Sequence, residues 1–248
     1  MLQYFMEKPE NIPPEELWQA YDIHHFAWLA ALALVGILLV RWFCHCEYDR
    51  QTRILKVFAV LIVCQEIVKD ILHYVAGTLE WEHMPLHICG ISIFFTLWYA
   101  FRPGKLNGAY VYGMSITGAL CALLFPNWTE FPVYHFSAIN SFTIHAWLII
   151  FGLMALCSGR LKPDIRQIPK LTLIMIAFAI PMHFINDALG TNFMFISTPS
   201  PGSPLMPLYG LFGNGYVAAA LVLMVLVWIV LFLPWEIARR RKEKQQAL

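Results

Sequence analysis

Glu66, Lys69, Asp70 and His73 recur at helical spacing along an otherwise apolar run, so they share one face of a helix. A charged group near the middle of a bilayer costs roughly 2.5–3.5 kcal/mol, so such residues persist where they pair or line a wet cavity. Two chemistries fit them. The carboxylates and the lysine can form internal ion pairs that hold helices together. Alternatively, one group can change protonation, with His73 as relay, and couple proton movement to solute binding. A second constellation is nucleophilic. Cys89 falls in the first turn of an expected helix, and His87, His145 and His183 fall at similar depth; a base or cation near a thiol lowers its pKa and makes it a nucleophile. Asn186 or Asn192 would then stabilise an oxyanion. The bland alternatives are a small buried Cys89, or a disulfide from Cys89 to Cys121. Cys44-His45-Cys46 has metal-like spacing but no partner ligands on its side of the membrane, so no metal is expected. Axial haem ligation by two of His73, His145 and His183 is a minor reading.

These residues must be carried by membrane helices. The chain of 248 residues is 59% hydrophobic and only 13% charged, with a mean hydropathy of +0.59. Segments of the length needed to cross an apolar core of about 30 Å fall at 24–43, 54–75, 86–101, 109–125, 136–157, 172–189 and 214–234. The fold class expected is therefore all-α, a polytopic bundle of seven transmembrane helices. Basic residues are retained on the cytoplasmic side. With the amino terminus outside and the carboxyl terminus in the cytoplasm, 15 of the 17 Lys and Arg residues fall on cytoplasmic segments, leaving Lys8 in the head and Lys69 in the membrane. The domain layout is an extracytoplasmic head at 1–23, a transmembrane domain at 24–238 and a basic cytoplasmic tail at 239–248. The head has no secretory-signal pattern and reads as a surface segment, with a short helix from Pro14 to Tyr21. Trp81, Trp98, Trp128 and Trp235 sit near helix ends and read as interfacial anchors.

A rise of about 1.5 Å per residue sets the depths. Lys69 and His73, His87 and Cys89, Asn140 and His145, and His183, Asn186 and Asp187 all fall in the outer half of the bilayer, and Asn192 falls in the last outer loop. The inner halves are mostly apolar. This convergence points to a polar cavity open to the outer side. No phosphate-cradling loop appears, and cytoplasmic nucleotides would not reach the cavity, so no cofactor is expected. The expected partners are membrane lipids and a small-molecule or lipid substrate. The basic tail is short and lacks aromatic interleaving, which excludes nucleic acid.

The run His83-Met84-Pro85-Leu86-His87-Ile88-Cys89 resembles the YwaF-like family of bacterial integral membrane proteins. So do Tyr112-Gly113, Gly118-Ala119-Leu120, Leu123-Leu124-Phe125-Pro126, His145, and Asn186-Asp187-Ala188-Leu189-Gly190-Thr191-Asn192-Phe193-Met194. The resemblance implies a helical membrane fold in a bacterial plasma membrane. Its eukaryotic relatives, the transmembrane protein 164 group, are similar at His87, His145, His183 and Asn192 and imply a cysteine-dependent lipid acyltransferase. Their reactive cysteine directly precedes the histidine matching His87, where this chain has Leu86; Cys89, three residues on, shares the helix face and is the displaced candidate.

The resulting expectation is an intramembrane lipid-binding protein performing CoA-independent phospholipid acyl transfer or lipid hydrolysis. Cys89 is its nucleophile, with His87, His145 and His183 as candidate catalytic histidines. Glu66, Lys69, Asp70, His73, Asn140, Asn186, Asp187 and Asn192 bind or orient the substrate. The alternative is a proton-coupled or ion-coupled small-solute transporter built on Glu66, Lys69 and Asp70.

Overall fold

The computed structural model describes residues 3–246; the extreme ends of the expected head and tail lie outside the described residues. Among these residues the fold is entirely helical, with nine α-helices and no strand. They are α1 (Ile23–Cys44), α2 (Tyr48–Ala76), α3 (Ile88–Phe101), α4 (Lys105–Tyr110), α5 (Thr117–Leu124), α6 (Phe136–Cys157), α7 (Ile168–Leu189), α8 (Met206–Phe212) and α9 (Tyr216–Gln246).

Local chemistry sets the ends of these helices. Asp22 caps α1 by accepting from the His25 N–H at 2.9 Å. The imidazole of His135 caps α6 by accepting from the Ser137 N–H at 3.0 Å. Gly77 and Gly190 close α2 and α7 in the left-handed conformation, at φ 71° and 67°. The basic run Arg239–Lys244 does not leave the last helix. It continues α9, with Glu236 paired to Arg239 at 2.8 Å and to Arg240 at 2.6 Å. In the head, the expected helix from Pro14 shrinks to a single 3-10 turn, Pro14–Glu16.

Each expected apolar segment overlaps a helix. Five helical stretches are long and apolar enough to cross a membrane: Ile23–Cys44, Trp81–Phe101, Phe136–Cys157, Ile165–Leu189 and Met206–Gln246. The charges on α2 interrupt its apolar run. The fourth expected segment is divided by a π-helical turn, Val111–Ile116, between α4 and α5. There the Gly113 carbonyl takes side-chain donors. It accepts from the buried Trp228 indole at 2.7 Å and from the Thr117 hydroxyl, which locks a wide turn against α9.

α6 is the central element, packed on α1, α2, α3, α5 and the π turn, and it supplies Phe142, Leu148, Phe151 and Ala155 to the core. α7 packs instead on α4 and α9. Large apolar side chains such as Leu34, Leu38, Leu61, Leu173 and Val230 point outward. A soluble surface would not carry so continuous an apolar exterior.

Candidate active site

The carboxyl end of α2, the turn into α3, the first turn of α3 and the first half of α6 enclose a cavity of about 350 Å³. Cys89 stands in the first turn of α3. Its thiol donates to Nε2 of His145 at 3.1 Å. The other ring nitrogen, Nδ1, lies 2.6 Å from the Ser141 carbonyl, one helical turn back on α6. A carbonyl can only accept, so Nδ1 carries the proton and Nε2 presents its lone pair to the thiol. Trp128 stacks on the imidazole with ring centroids 5.3 Å apart and planes 12° from parallel. Cys89 and Cys121 are both free thiols, so the disulfide alternative does not hold.

His87 also lines the cavity but meets a different partner. Its Nδ1 accepts from the Met194 N–H at 3.3 Å, and its ring lies between Phe193 and Phe195. Met194 and Phe195 both sit at positive φ, 60° and 52°, a conformation bulky residues rarely adopt. That strained turn brings Phe195 to the cavity wall.

On α2, the Lys69 ammonium donates to Glu66 Oε1 and to the His83 carbonyl, each at 2.5 Å, and pairs with Asp70 at 3.2 Å. The lysine thereby ties the α2–α3 turn to α2. His73 hydrogen-bonds Thr78 at 2.9 Å and Ser137 at 3.3 Å, joining the same turn to α6. Asn140 accepts from Gln65 at 2.9 Å between α2 and α6. Glu66, Lys69, His73, His87, Cys89, Asn140 and His145 are therefore brought together around one cavity.

Five other candidates lie outside that wall. Asn186 is buried, but its side chain is fully engaged: Oδ1 accepts from the Phe193 N–H and the Thr191 hydroxyl, and Nδ2 donates to the Phe193 carbonyl. Asn192 likewise bonds Ser197 and Thr198. Both amides build the turn after α7 and do not line the cavity. His183 and Asp187 are about two-thirds exposed and lie 3.9 Å from each other on the outer face of α7. The reason is α7's packing on α4 and α9, which turns this face away from α6. Asp70 lines a neighbouring groove rather than the cavity.

Several contributors were not among the site residues expected from the sequence. Trp128 was expected at an interface; it is only 5% exposed and covers His145. His135 donates from Nε2 to the Glu7 carbonyl at 3.0 Å, holding the amino-terminal segment across the cavity. Its signal was a histidine directly before a helix, a cap position. Burial lowers the pKa of His135, opposed by that bond to Glu7. Burial raises the pKa of Glu130 in the same wall, reinforced by Glu82 and Glu80.

The model of the TMEM164 family matches residues 20–235, from just before α1 to late in α9. Neither the curated proteins nor the solved structures yielded a match. With the match covering most of the chain and the apolar helices described above, the protein belongs to the TMEM164 family and is a multi-pass integral membrane protein.

Proposed function

We propose that this protein performs acyl chemistry on membrane lipids, as a CoA-independent acyltransferase or a lipid hydrolase, with Cys89 as nucleophile and His145 as general base. The observation that carries the reading is the 3.1 Å contact between the Cys89 thiol and a His145 nitrogen whose lone pair the Ser141 carbonyl directs at it. Nε2 takes the thiol proton as sulfur attacks the carbonyl carbon of a phospholipid ester. Collapse of the tetrahedral adduct breaks the carbon–oxygen ester bond, and His145 returns the proton to the departing glycerol oxygen. A thioester on Cys89 and a lysophospholipid result. Water or an acceptor hydroxyl then attacks the thioester, with His145 again moving the proton. His87, whose Nδ1 is occupied by Met194, carries its proton on Nε2 and serves as a hydrogen-bond donor.

The test is mass spectrometry of the purified protein after incubation with mixed phospholipids. An acyl adduct on Cys89 is expected, absent in Cys89→Ala and formed about 10²- to 10⁴-fold more slowly in His145→Gln. Wild-type protein that binds lipid and never acquires the adduct sinks the mechanism.

Ion-coupled solute transport is the second reading, favoured by the enclosed Glu66–Lys69 pair at the cavity. It requires pH-dependent solute flux in proteoliposomes that Glu66→Gln abolishes. For the surrounding layout our reading is seven crossings over 24–238, with head 1–23 outside and tail 239–248 in the cytoplasm, in a YwaF-like protein of a bacterial plasma membrane. The distribution of basic residues supports this orientation.

A further inference from the structure

The segment before α1 crosses the reaction cavity and is fastened on both of its banks. Ile12 and Trp18 are buried, and Trp18 packs its ring on Phe142 and His25 with centroids 5.4 and 5.7 Å apart, which fixes this end to the bundle. Nearer the amino terminus, Phe5 meets Phe136 edge-on at 6.1 Å, and the Phe5 and Glu7 carbonyls accept from the Phe136 N–H and from His135. These contacts hold the bank formed by the start of α6. Lys8 reaches the opposite bank, the α2–α3 turn, where its ammonium lies 3.6 Å from Glu80. Glu7 stiffens the crossing: its carboxylate accepts from the Lys8 N–H at 3.1 Å and from the Asn11 amide at 2.8 Å. Glu7, Lys8 and Pro9 form part of the wall of the cavity that holds Cys89 and His145, whereas Glu10 and Asn11 are exposed. The segment therefore stands between solvent and the reacting pair. None of its bonds is made to Cys89 or His145, so it can open without disturbing their contact.

We infer that this strap, residues 3–11, determines which acceptor takes the acyl group from Cys89: closed, it keeps bulk water off the thioester and leaves it to the hydroxyl of a lipid acceptor. Both fates break the same bond. Attack at the thioester carbonyl carbon forms a carbon–oxygen bond and expels the Cys89 sulfur, while His145 takes the proton of the attacking group and returns it to the thiolate. Water gives a free fatty acid, and a lipid hydroxyl gives a new ester. Covering a site in this way suppresses hydrolysis of a reactive intermediate. The inference rests on the acyl-chemistry reading for the fate of the acyl group, whereas the barrier is measurable without that chemistry.

The experiment compares the parent protein in lipid nanodiscs with Phe5→Ser/Lys8→Glu, which removes the ring contact on one bank and sets like charges against Glu80 on the other. An aromatic pair and an exposed ion pair together are worth about tenfold in an equilibrium. Alkylation of Cys89 by iodoacetamide, a neutral water-soluble reagent, is followed by mass spectrometry of the Cys89 peptide and should run about tenfold faster in the variant. With mixed phospholipids, a lysophospholipid acceptor and isotopically labelled water, the variant should release about tenfold more labelled fatty acid per acyl group transferred. A chain beginning at Ile12, which keeps the Ile12 and Trp18 anchors, should behave as the double variant does. Thermal unfolding confirms that each is folded. Alkylation at the parental rate in both variants overturns the barrier, and faster alkylation with an unchanged ratio of fatty acid to transferred acyl group overturns control of the acceptor. Should alkylation accelerate while Cys89 of the parent protein never acquires an acyl group, the acyl-chemistry reading fails and the strap stands as the cavity's barrier to solvent.

Discussion

Lys69, which lines the cavity, also has a structural task. Its ammonium holds Glu66 on its own helix and the His83 carbonyl on the next segment, with side chains of Lys69 and Glu66 only 12% and 14% exposed. Removing one partner of such a pair leaves an uncompensated carboxylate and a carbonyl without its donor. Lys69→Met is expected to destabilise the fold by roughly 3 kcal/mol, seen as a lower melting temperature in detergent. The double variant Glu66→Gln/Lys69→Met should recover part of that loss, because the Glu66 carboxylate is no longer buried alone while the His83 carbonyl still lacks its donor. His145 is placed differently. Both ring nitrogens are assigned by contacts, and the one facing Cys89 is the one free to accept a proton.

At the level of elements, the position of Cys89 depends on how closely the Pro85 turn folds over the start of α3. A Cβ built on Gly90 would lie 2.6 Å from the Pro85 backbone, which cannot rotate aside as a side chain can. Gly90→Ala must push α3 away from the turn. The expected result is a loss of about 1–3 kcal/mol in stability. Acyl-adduct formation on Cys89 should also slow about 100-fold, since a misplacement near 1 Å is enough for that. Gly118→Ala on α5 is the matched control. Its Cβ would meet only Ile88 at an ordinary 3.8 Å, so it should leave adduct formation unchanged and stabilise α5 by up to about 1 kcal/mol.

Across the whole molecule, the amino-terminal segment is a strap over the cavity. The Phe5 carbonyl accepts from the Phe136 N–H at 2.9 Å, the Glu7 carbonyl accepts from His135 at 3.0 Å, and Glu16 accepts from the Tyr134 hydroxyl at 3.0 Å. Neutral His135 serves the strap through Nε2 and caps α6 through Nδ1; a proton on Nδ1 would break the cap. Its pKa in the fold is lowered from the ordinary 6.5. A lowered histidine pKa means the unfolded strap binds the proton more readily, so strap stability is full above 6.5 and is lost as pH falls below it. Cleavage of residues in the strap by added protease, normalised to an unfolded control, should therefore rise between about pH 7.5 and 5.5. His135→Asn, neutral across that window, should show no rise.

The residue pattern alone determined that the fold is helical and membrane-embedded, and placed Lys69, His73, Cys89, Asn140 and His145 at one depth. Those conclusions need only the apolar runs and the fixed rise and periodicity of a helix, both local properties. Depth does not say which neighbour a helix face meets. Whether His87, His145 or His183 touched Cys89 depended on the rotation and packing of separate helices, and only the tertiary structure decided for His145. The same contacts turned His183 and Asp187 outward, kept Asn186 and Asn192 within their own turn, and buried Trp128 against the imidazole. The π turn at Gly113 was equally invisible locally, because the Trp228 indole that holds it lies 115 residues further along the chain.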